Sequence, residues 1–330
     1  MTAPPTPEKV LGLARGFMES RIFLTAAELD LFSLLADQPR TAAEAAAQAG
    51  GSLRAMTYLL DALSALGLLQ KAKEKYQTPP DLAPWLKADS PQTVLPMVLH
   101  MAGLWKTWSE LTERVKNNAP LPHRKRDETQ LKAFIGAMHV VAAPLADLIV
   151  GRLDLSGIKT VLDVGGGSGA YAMAFLKAAP GIRVTLFDLP EVLELAAERL
   201  GQAGLLDRVD LVRGNFYHDN LPPGRDLALL SAIIHQNSPE QNLDLFRKAH
   251  DALKPGGRIV IRDHVMAPDR VSPKSGAVFA INMLVNTSGG GTFTFEEIEG
   301  WLKEAGFVRA RRLNEGGDRM DGLVEADKPW

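Results

Sequence analysis

His235 and the run Gly165-Gly166-Gly167-Ser168-Gly169 are the parts of this chain whose residue types and spacing could do chemistry. The glycine run follows directly on Thr160-Val161-Leu162-Asp163-Val164 and leads into an apolar-rich stretch, Tyr171 to Ala179, that reads as a helix. A strand, a glycine turn and a helix start form the junction where α/β proteins place an adenosine-bearing ligand. Glycine lets the backbone come close to such a ligand with no Cβ in the way. The pattern is Gly165-x-Gly167-x-Gly169 with Asp163 two residues ahead, not the G-x-G-x-x-G of dinucleotide folds.

Three further positions fit an adenosine site. Asp188 ends the next strand, where an acid accepts hydrogen bonds from ribose hydroxyls. Asn215 and Phe216 end the third strand, the first able to meet an adenine edge and the second to cover its face. His235 follows the fourth strand in a short loop ahead of Ser238-Pro239, which open a helix. The first and fourth strands flank the switch point of a doubly wound sheet, so His235 and the glycine turn open into one crevice. An imidazole, with an ordinary pKa of about 6.5, takes a proton from a hydroxyl near neutral pH. Asp263 ends the fifth strand, next to the fourth, and could hold one nitrogen of that ring. Side chains alternate along a strand, so of Asp263 and His264 one is expected to point inward.

The elements that must position these residues are legible in outline. From Thr160 the chain alternates strand and helix, which predicts a parallel sheet covered on both faces. Strands are expected at 160–164, 183–187, 209–212, 227–231, 258–262, 308–313 and 322–325, with helices near 170–179, 191–203, 239–253 and 295–305. Before them, a helical period runs from Val10 to Gln38, and Thr41 with Glu44 signals a capping box for an alanine-rich helix. A helix from Ser52 to Leu66 and a small hairpin near 68–78 complete a winged-helix pattern. A helix around 95–111 is apolar over most of its circumference. Asn117–Asp127 reads as a loop carrying Arg124, Lys125 and Arg126, and Phe134, Met138 and Val141 form the inner face of a further helix. His139 adjoins Met138 and could reach a pocket there.

Composition narrows the function classes. A chain of 330 residues predicts two domains, and a net charge of -2 gives no field to attract nucleic acid or an anionic membrane. There is no cysteine, which excludes disulfides, thiolate catalysis and cysteine-ligated zinc. No His, Asp or Glu set has metal-ligand spacing, so no metal is expected. The first ten residues lack the basic and apolar regions of a secretory signal, and a cytoplasmic location is expected. A DNA-reading role is disfavoured because the second helix of the winged-helix pattern offers one cation, Arg54.

Taken together, these residues resemble the cation-independent small-molecule O-methyltransferases, which use S-adenosylmethionine (SAM) and include the caffeate-type and acetylserotonin-type enzymes and bacterial relatives. The resemblance spans nearly the whole chain. It rests on Val161 to Gly169, similar to motif I of SAM methyltransferases, on Phe187-Asp188-Leu189-Pro190 and on Gly214-Asn215-Phe216-Tyr217. It continues through Ile234-His235, the helix end Ala252-Leu253-Lys254-Pro255-Gly256-Gly257, and Met283-Leu284 before Gly289–Gly291. It implies a class I methyltransferase fold, α/β with a doubly wound sheet, and an N-terminal all-helical winged-helix dimerisation domain. The implied layout is a disordered lead at 1–9, the dimerisation domain at 10–90, a helical linker with substrate-pocket helices at 91–155, and a SAM-binding domain at 156–330. A homodimer is implied in which the N-terminal helices of one subunit close the partner's pocket. SAM is expected at Asp163, Gly165, Gly167, Asp188, Asn215, Phe216 and Ser231, with His235 as general base and Asp263 behind it. Phe134, Met138, His139, Met283 and Asn286 are expected to line the pocket of a small acceptor, aromatic or polyketide-like, that gives up a hydroxyl proton.

The sequence departs from the family pattern in places. Gln236 and Asn237 stand where Asp and Trp usually follow the histidine, Asn215 stands for the Asp of a Gly-Asp-Met-Phe motif, and Ser231 for a lysine of the plant enzymes. Thr292 falls on or near the second acid that flanks the base in those enzymes. The alternatives are a family member that binds SAM without transferring methyl, a winged-helix regulator that senses a metabolite, and a nicotinamide dehydrogenase, which the glycine spacing disfavours.

Overall fold

A computed structural model of the protein describes residues 4–117, 128–314 and 316–330. The chain divides into two compact units, 1–105 and 106–330. The stretch expected as a separate linker at 91–155 is therefore shared between them. The basic cluster Arg124, Lys125 and Arg126, most of its loop and Met1–Ala3 lie outside the described residues.

The first unit holds α1 (Pro7–Glu28), α2 (Leu31–Ala36), β1 (Arg40–Thr41), α3 (Ala42–Ala49), α4 (Leu53–Ala65), β2 (Gln70–Ala72), β3 (Lys75–Gln77), α5 (Ala83–Leu86) and most of α6 (Leu95–Ser109). Helix α1 starts inside the stretch read as a disordered lead. Thr6 accepts from the Lys9 N–H and Pro7 takes the first helical position, where a missing donor costs little. The helical period from Val10 to Gln38 is broken by Asp30, whose left-handed backbone (φ 49°) separates α1 from α2 and drops Leu31, Phe32 and Leu35 into the core. The Thr41–Glu44 capping box forms, and Ser52 caps α4. The hairpin gains a third strand, so the unit carries a small sheet in the order β1-β3-β2 among its helices.

The second unit adds α7 (Leu111–Asn117), α8 (Glu128–Val150), β4 (Thr160–Val164), α9 (Ala170–Ala178), β5 (Arg183–Asp188), α10 (Pro190–Gln202), β6 (Val209–Arg213), β7 (Arg225–Ser231), α11 (Pro239–Ala252), β8 (Leu253–Asp263), β9 (Val265–Met266), α12 (Lys274–Asn286), β10 (Phe293–Thr294), α13 (Phe295–Glu304), β11 (Val308–Asn314) and β12 (Gly322–Asp327). Seven strands form one sheet in the order β11-β12-β8-β7-β4-β5-β6. The five strands from β6 to β8 are parallel, and β12 and β11 close the edge antiparallel. The chain runs outward from β4 to β6 and then returns to β7 on the other side of β4, which makes β4/β7 the switch point.

The pleat sends alternate residues to two cores. Val161, Leu227, Leu229 and Val260 pack with Ile149 and Phe175 under α8, α9 and α10, while Leu162, Val164, Leu230 and Ile261 pack with Phe246 and Leu302 under α11 and α13. Helix α12 was not among the expected elements. Its sequence, KSGAVFAINMLVN, spreads apolar residues around the circumference and shows no single stripe.

Candidate active site

The carboxyl end of β4 delivers Asp163 into the interior, 1% exposed. It accepts from the Ala172 N–H, but Oδ2 has no hydrogen-bond partner among the described residues. Burial, together with the negative charge of Asp188, pushes its pKa up to about 7. The turn above it demands glycine for two different reasons. Gly165 has φ 64°, and a Cβ there would stand 2.6 Å from Ile233 Cδ1. Gly166 crosses so close over the carboxylate that a Cβ would lie 2.9 Å from Asp163 Oδ2.

Asp188, at the end of β5, reaches back to this turn. Its Oδ2 accepts from the Gly167 N–H at 2.8 Å and its Oδ1 from the Leu189 N–H at 2.7 Å, while burial raises its pKa despite both bonds. The residue expected to meet a ribose thus also shapes the glycine loop. A carboxylate has about four acceptor positions, so donors from a ribose can share it.

Asn215 and Phe216 sit in the turn after β6. The Asn215 side-chain Oδ1 accepts from the Tyr217 N–H at 3.0 Å, which commits that oxygen to its own loop. The Phe216 ring stands beside the glycine turn, with Cε1 3.6 Å from where a Cβ on Gly165 would be. Ser231 ends β7 in register with Arg262 of β8.

His235 lies in a single 3-10 turn, Ile234–Gln236, rather than in an irregular loop. Its Nδ1 is 3.0 Å from both oxygens of Asp263, which β8 brings alongside in parallel register with β7. Burial alone would raise the pKa of Asp263. The His235 ring and the His264 N–H outweigh it and hold the carboxyl below its usual range. A carboxylate can only accept, so on this contact Nδ1 carries the proton toward Asp263. The Phe279 ring packs edge-on against the imidazole at 4.9 Å, and the Gly291 N–H donates to the His235 carbonyl at 2.8 Å. A Cβ on Gly290 would stand 2.4 Å from that carbonyl, so the Gly289–Gly291 stretch serves close packing behind the turn.

The residues expected around an acceptor are distributed unevenly. Phe134 and Met138 are half-buried on α8, and Met283 is buried on α12. Asn286 is tied locally: it accepts from Thr107 Oγ1 and donates to the backbone and side-chain oxygens of Asn282. His139 is also redirected. Its Nδ1 lies 2.9 Å from Ser168 Oγ, so it meets the glycine turn, and burial with the nearby Arg199 charge lowers its pKa to about 4. His264 is buried too and stacks at a tilt on Phe279, so both Asp263 and His264 are inside the protein, on different partners. Phe279 is the residue that sequence reasoning missed. Its spacing from Met283 and Asn286, i, i+4 and i+7, was the available signal.

Comparison with known proteins gives the same picture over the whole chain. Residues 113–308 match the O-methyltransferase domain and residues 11–86 the O-methyltransferase dimerisation domain. The chain is 32% identical to 3-hydroxy-5-methyl-1-naphthoate 3-O-methyltransferase of Streptomyces sahachiroi, over 98% of this chain and 95% of that protein. It is 31% identical to the tetracenomycin polyketide synthesis 8-O-methyl transferase TcmO of Streptomyces glaucescens, over 98% and 97%. The human N-acetylserotonin methyltransferase, solved with SAM, superimposes with a TM-score of 0.86 at 26% identity and full coverage of both chains. The chain that folds a glycine turn over one buried acid and sets a histidine against another thus belongs to the SAM-dependent O-methyltransferase family and methylates the oxygen of a small acceptor.

Proposed function

We propose that the acceptor is a phenolic hydroxyl on an aromatic, polyketide-like molecule, and that His235 is the general base. The observation that carries this reading is the His235–Asp263 contact at 3.0 Å, which leaves Nε2 free to accept a proton. A phenol has a pKa of about 10, so it needs a base to become nucleophilic near neutral pH. Asp263 balances the positive charge that the ring gains on accepting that proton. Thr292, in place of a second acid, adds no charge beside this pair. The naphthoate and tetracenomycin relatives favour a fused aromatic acceptor. Half-buried Phe134, Met138 and Phe279 supply apolar surface suited to one.

The glycine turn and its neighbours fit SAM. Asp163 offers an orphaned buried oxygen to the cofactor's donors, Asp188 offers acceptor positions for a ribose, and the Phe216 ring offers a face for adenine. Bound there, SAM supplies an electrophilic methyl on a cationic sulfur. What the protein adds is alignment and proton removal.

The same reading takes the active form to be a homodimer joined through the N-terminal unit. Val10, Leu11, Leu13, Phe17 and Met18 on α1 are each at least half exposed, apolar surface that a second copy of the unit would cover. The test is incubation with isotopically labelled SAM and a panel of phenols and naphthols, followed by mass spectrometry. Label on oxygen is expected. SAM binding with no transfer to any hydroxyl would instead identify a family member that has lost the reaction.

A further inference from the structure

A buried chain of side-chain amides links the loop on the cofactor side to the turn that carries His235. The Tyr217 hydroxyl donates to Asn237 Oδ1 at 2.7 Å, Asn237 Nδ2 donates to Asn242 Oδ1 at 3.0 Å, and Asn242 Nδ2 donates to the Ile234 carbonyl at 2.9 Å. Asn237 and Asn242 are fully buried, whereas the Tyr217 ring is 39% exposed. Every donor points the same way, from the tyrosine toward the peptide immediately before the catalytic histidine. The chain ends on two functional segments. Tyr217 follows Phe216, against which its ring packs at 4.6 Å, and Ile234 opens the 3-10 turn of His235. Helix α11 braces the same loop a second time, through Lys248 Nζ, which donates to the Phe216 carbonyl at 2.9 Å.

A packing role would need no such directionality. Two uncharged amides in a dry interior cost free energy unless each is bonded, and a half-satisfied network is worse than an apolar one. Asn237 is bonded at both ends only while Tyr217 holds the loop in place, and Asn242 passes its position on to the Ile234 carbonyl. Displacing the 215–217 loop therefore strands a buried acceptor on Asn237 and loosens the turn that aims the imidazole.

We propose that Tyr217, Asn237 and Asn242 are positioning residues: they couple the seating of the cofactor loop to the aim of His235, so that the base is correctly placed when the loop is closed over its ligand. This rests on the reading of His235 as base and of residues 215–216 as the cofactor loop. Acting through other residues, none of the three needs to touch the reacting atoms.

The test is Tyr217→Phe, which removes one hydroxyl from a partly exposed ring. Calorimetry should show SAM binding weakened about fivefold, and kcat at saturating SAM should fall about tenfold at a temperature where the variant remains folded. A residue that only stabilised the fold would lower the melting temperature and leave kcat at saturation unchanged. Asn237→Ala should lose as much, and the double variant little more than either single one. Should Asn237→Ala not fold, Asn242→Ala completes the same cycle. Wild-type SAM affinity, wild-type kcat, or fully additive losses would each overturn the proposal. Full turnover in His235→Ala would overturn the reading of His235 as base and the proposal with it, whereas full turnover in Tyr217→Phe beside an inactive His235→Ala would overturn the coupling alone.

Discussion

Asp163 and Asp263 are buried alike, 1% exposed, at the carboxyl ends of β4 and β8 in one sheet, yet their ionisation is pushed in opposite directions. Burial dominates at Asp163 and lifts its pKa to about 7. At Asp263 the same penalty is outweighed by the facing imidazole, and the carboxyl is held below its ordinary range. Depth is equal, so the partner makes the difference. Asp263 is committed to the protein, where it keeps a charge next to the His235 ring. Asp163 has an oxygen to offer to something that brings its own donors. One half of the site is assembled from protein alone, and the other is shaped for a ligand.

The largest expected effect comes from removing the partner. His235→Ala should lower turnover by about 10²-fold or more while leaving SAM affinity within about twofold by calorimetry. It also takes from Asp263 the ring that offsets its burial and leaves it the His264 N–H, so the pKa of that carboxyl should rise and the variant should lose more stability than wild type as pH increases. Full turnover in this variant would break the comparison at once. A milder change is Asp263→Asn, which keeps the shape and removes the charge that balances the imidazolium. Turnover should drop about tenfold, equal to about 1.4 kcal/mol in the transition state. If Asp263→Asn matched wild type, the pair would be structural only.

Asp163→Asn tests the other side of the comparison. A carboxyl whose folded pKa is raised from near 3.8 to about 7 binds its proton more tightly folded than unfolded. The ligand-free protein therefore loses stability as pH rises across that window, and the loss is complete above it. An asparagine carries no such cost. Thermal melts of the ligand-free variant should exceed those of wild type at pH 8 by several degrees, at about 2–4 °C per kcal/mol for a domain of this size, and converge near pH 4. SAM binding should weaken in the same variant, because a neutral amide answers the cofactor's donors less well. A variant that is less stable than wild type at pH 8 would mean that the Ala172 N–H bond to the carboxylate outweighs the cost of its burial.

Much of this contrast was legible in the sequence, for reasons that differ by element. The β-branched and apolar runs at 160–164, 183–187 and 227–231 stop at Gly165, Asp188 and Ser231, so strand ends and the residues that follow them could be located from composition. His235 and Asp263 were readable together because neighbouring parallel strands bring their carboxyl ends side by side. Helix α12 was hard to read, since apolar residues all around it obscure the spacing of Phe279, Met283 and Asn286. The break at Asp30 was hidden because the apolar period continues through it and the left-handed backbone leaves no mark in composition. The local ties of Asn286 to Thr107 and Asn282, and the bond between residues 139 and 168, depend on which faces of packed helices meet, which spacing along one chain does not encode.

That last bond gives the smallest and most specific expectation. His139 has a pKa lowered to about 4 by burial, and by Arg199, against an ordinary value near 6.5. The unfolded chain therefore binds a proton that the folded protein refuses between those values, so stability falls as pH drops through that window and is fully present above it. Ser168, buried in the glycine turn, is the group that feels the change, because a neutral ring can bond its hydroxyl from either side of the exchange. His139→Gln keeps an amide able to reach that hydroxyl and removes the titration. Between pH 7 and pH 5 the variant's melting temperature should fall less than that of wild type, by several degrees at most, with the two pH slopes alike above pH 7. His250 and His264 are also held below their ordinary pKa, and their share is common to both proteins, so the difference between the curves isolates position 139. Parallel curves would show that the glycine turn does not register the charge of this ring, and the contrast between the two halves of the site would then rest on the two aspartates alone.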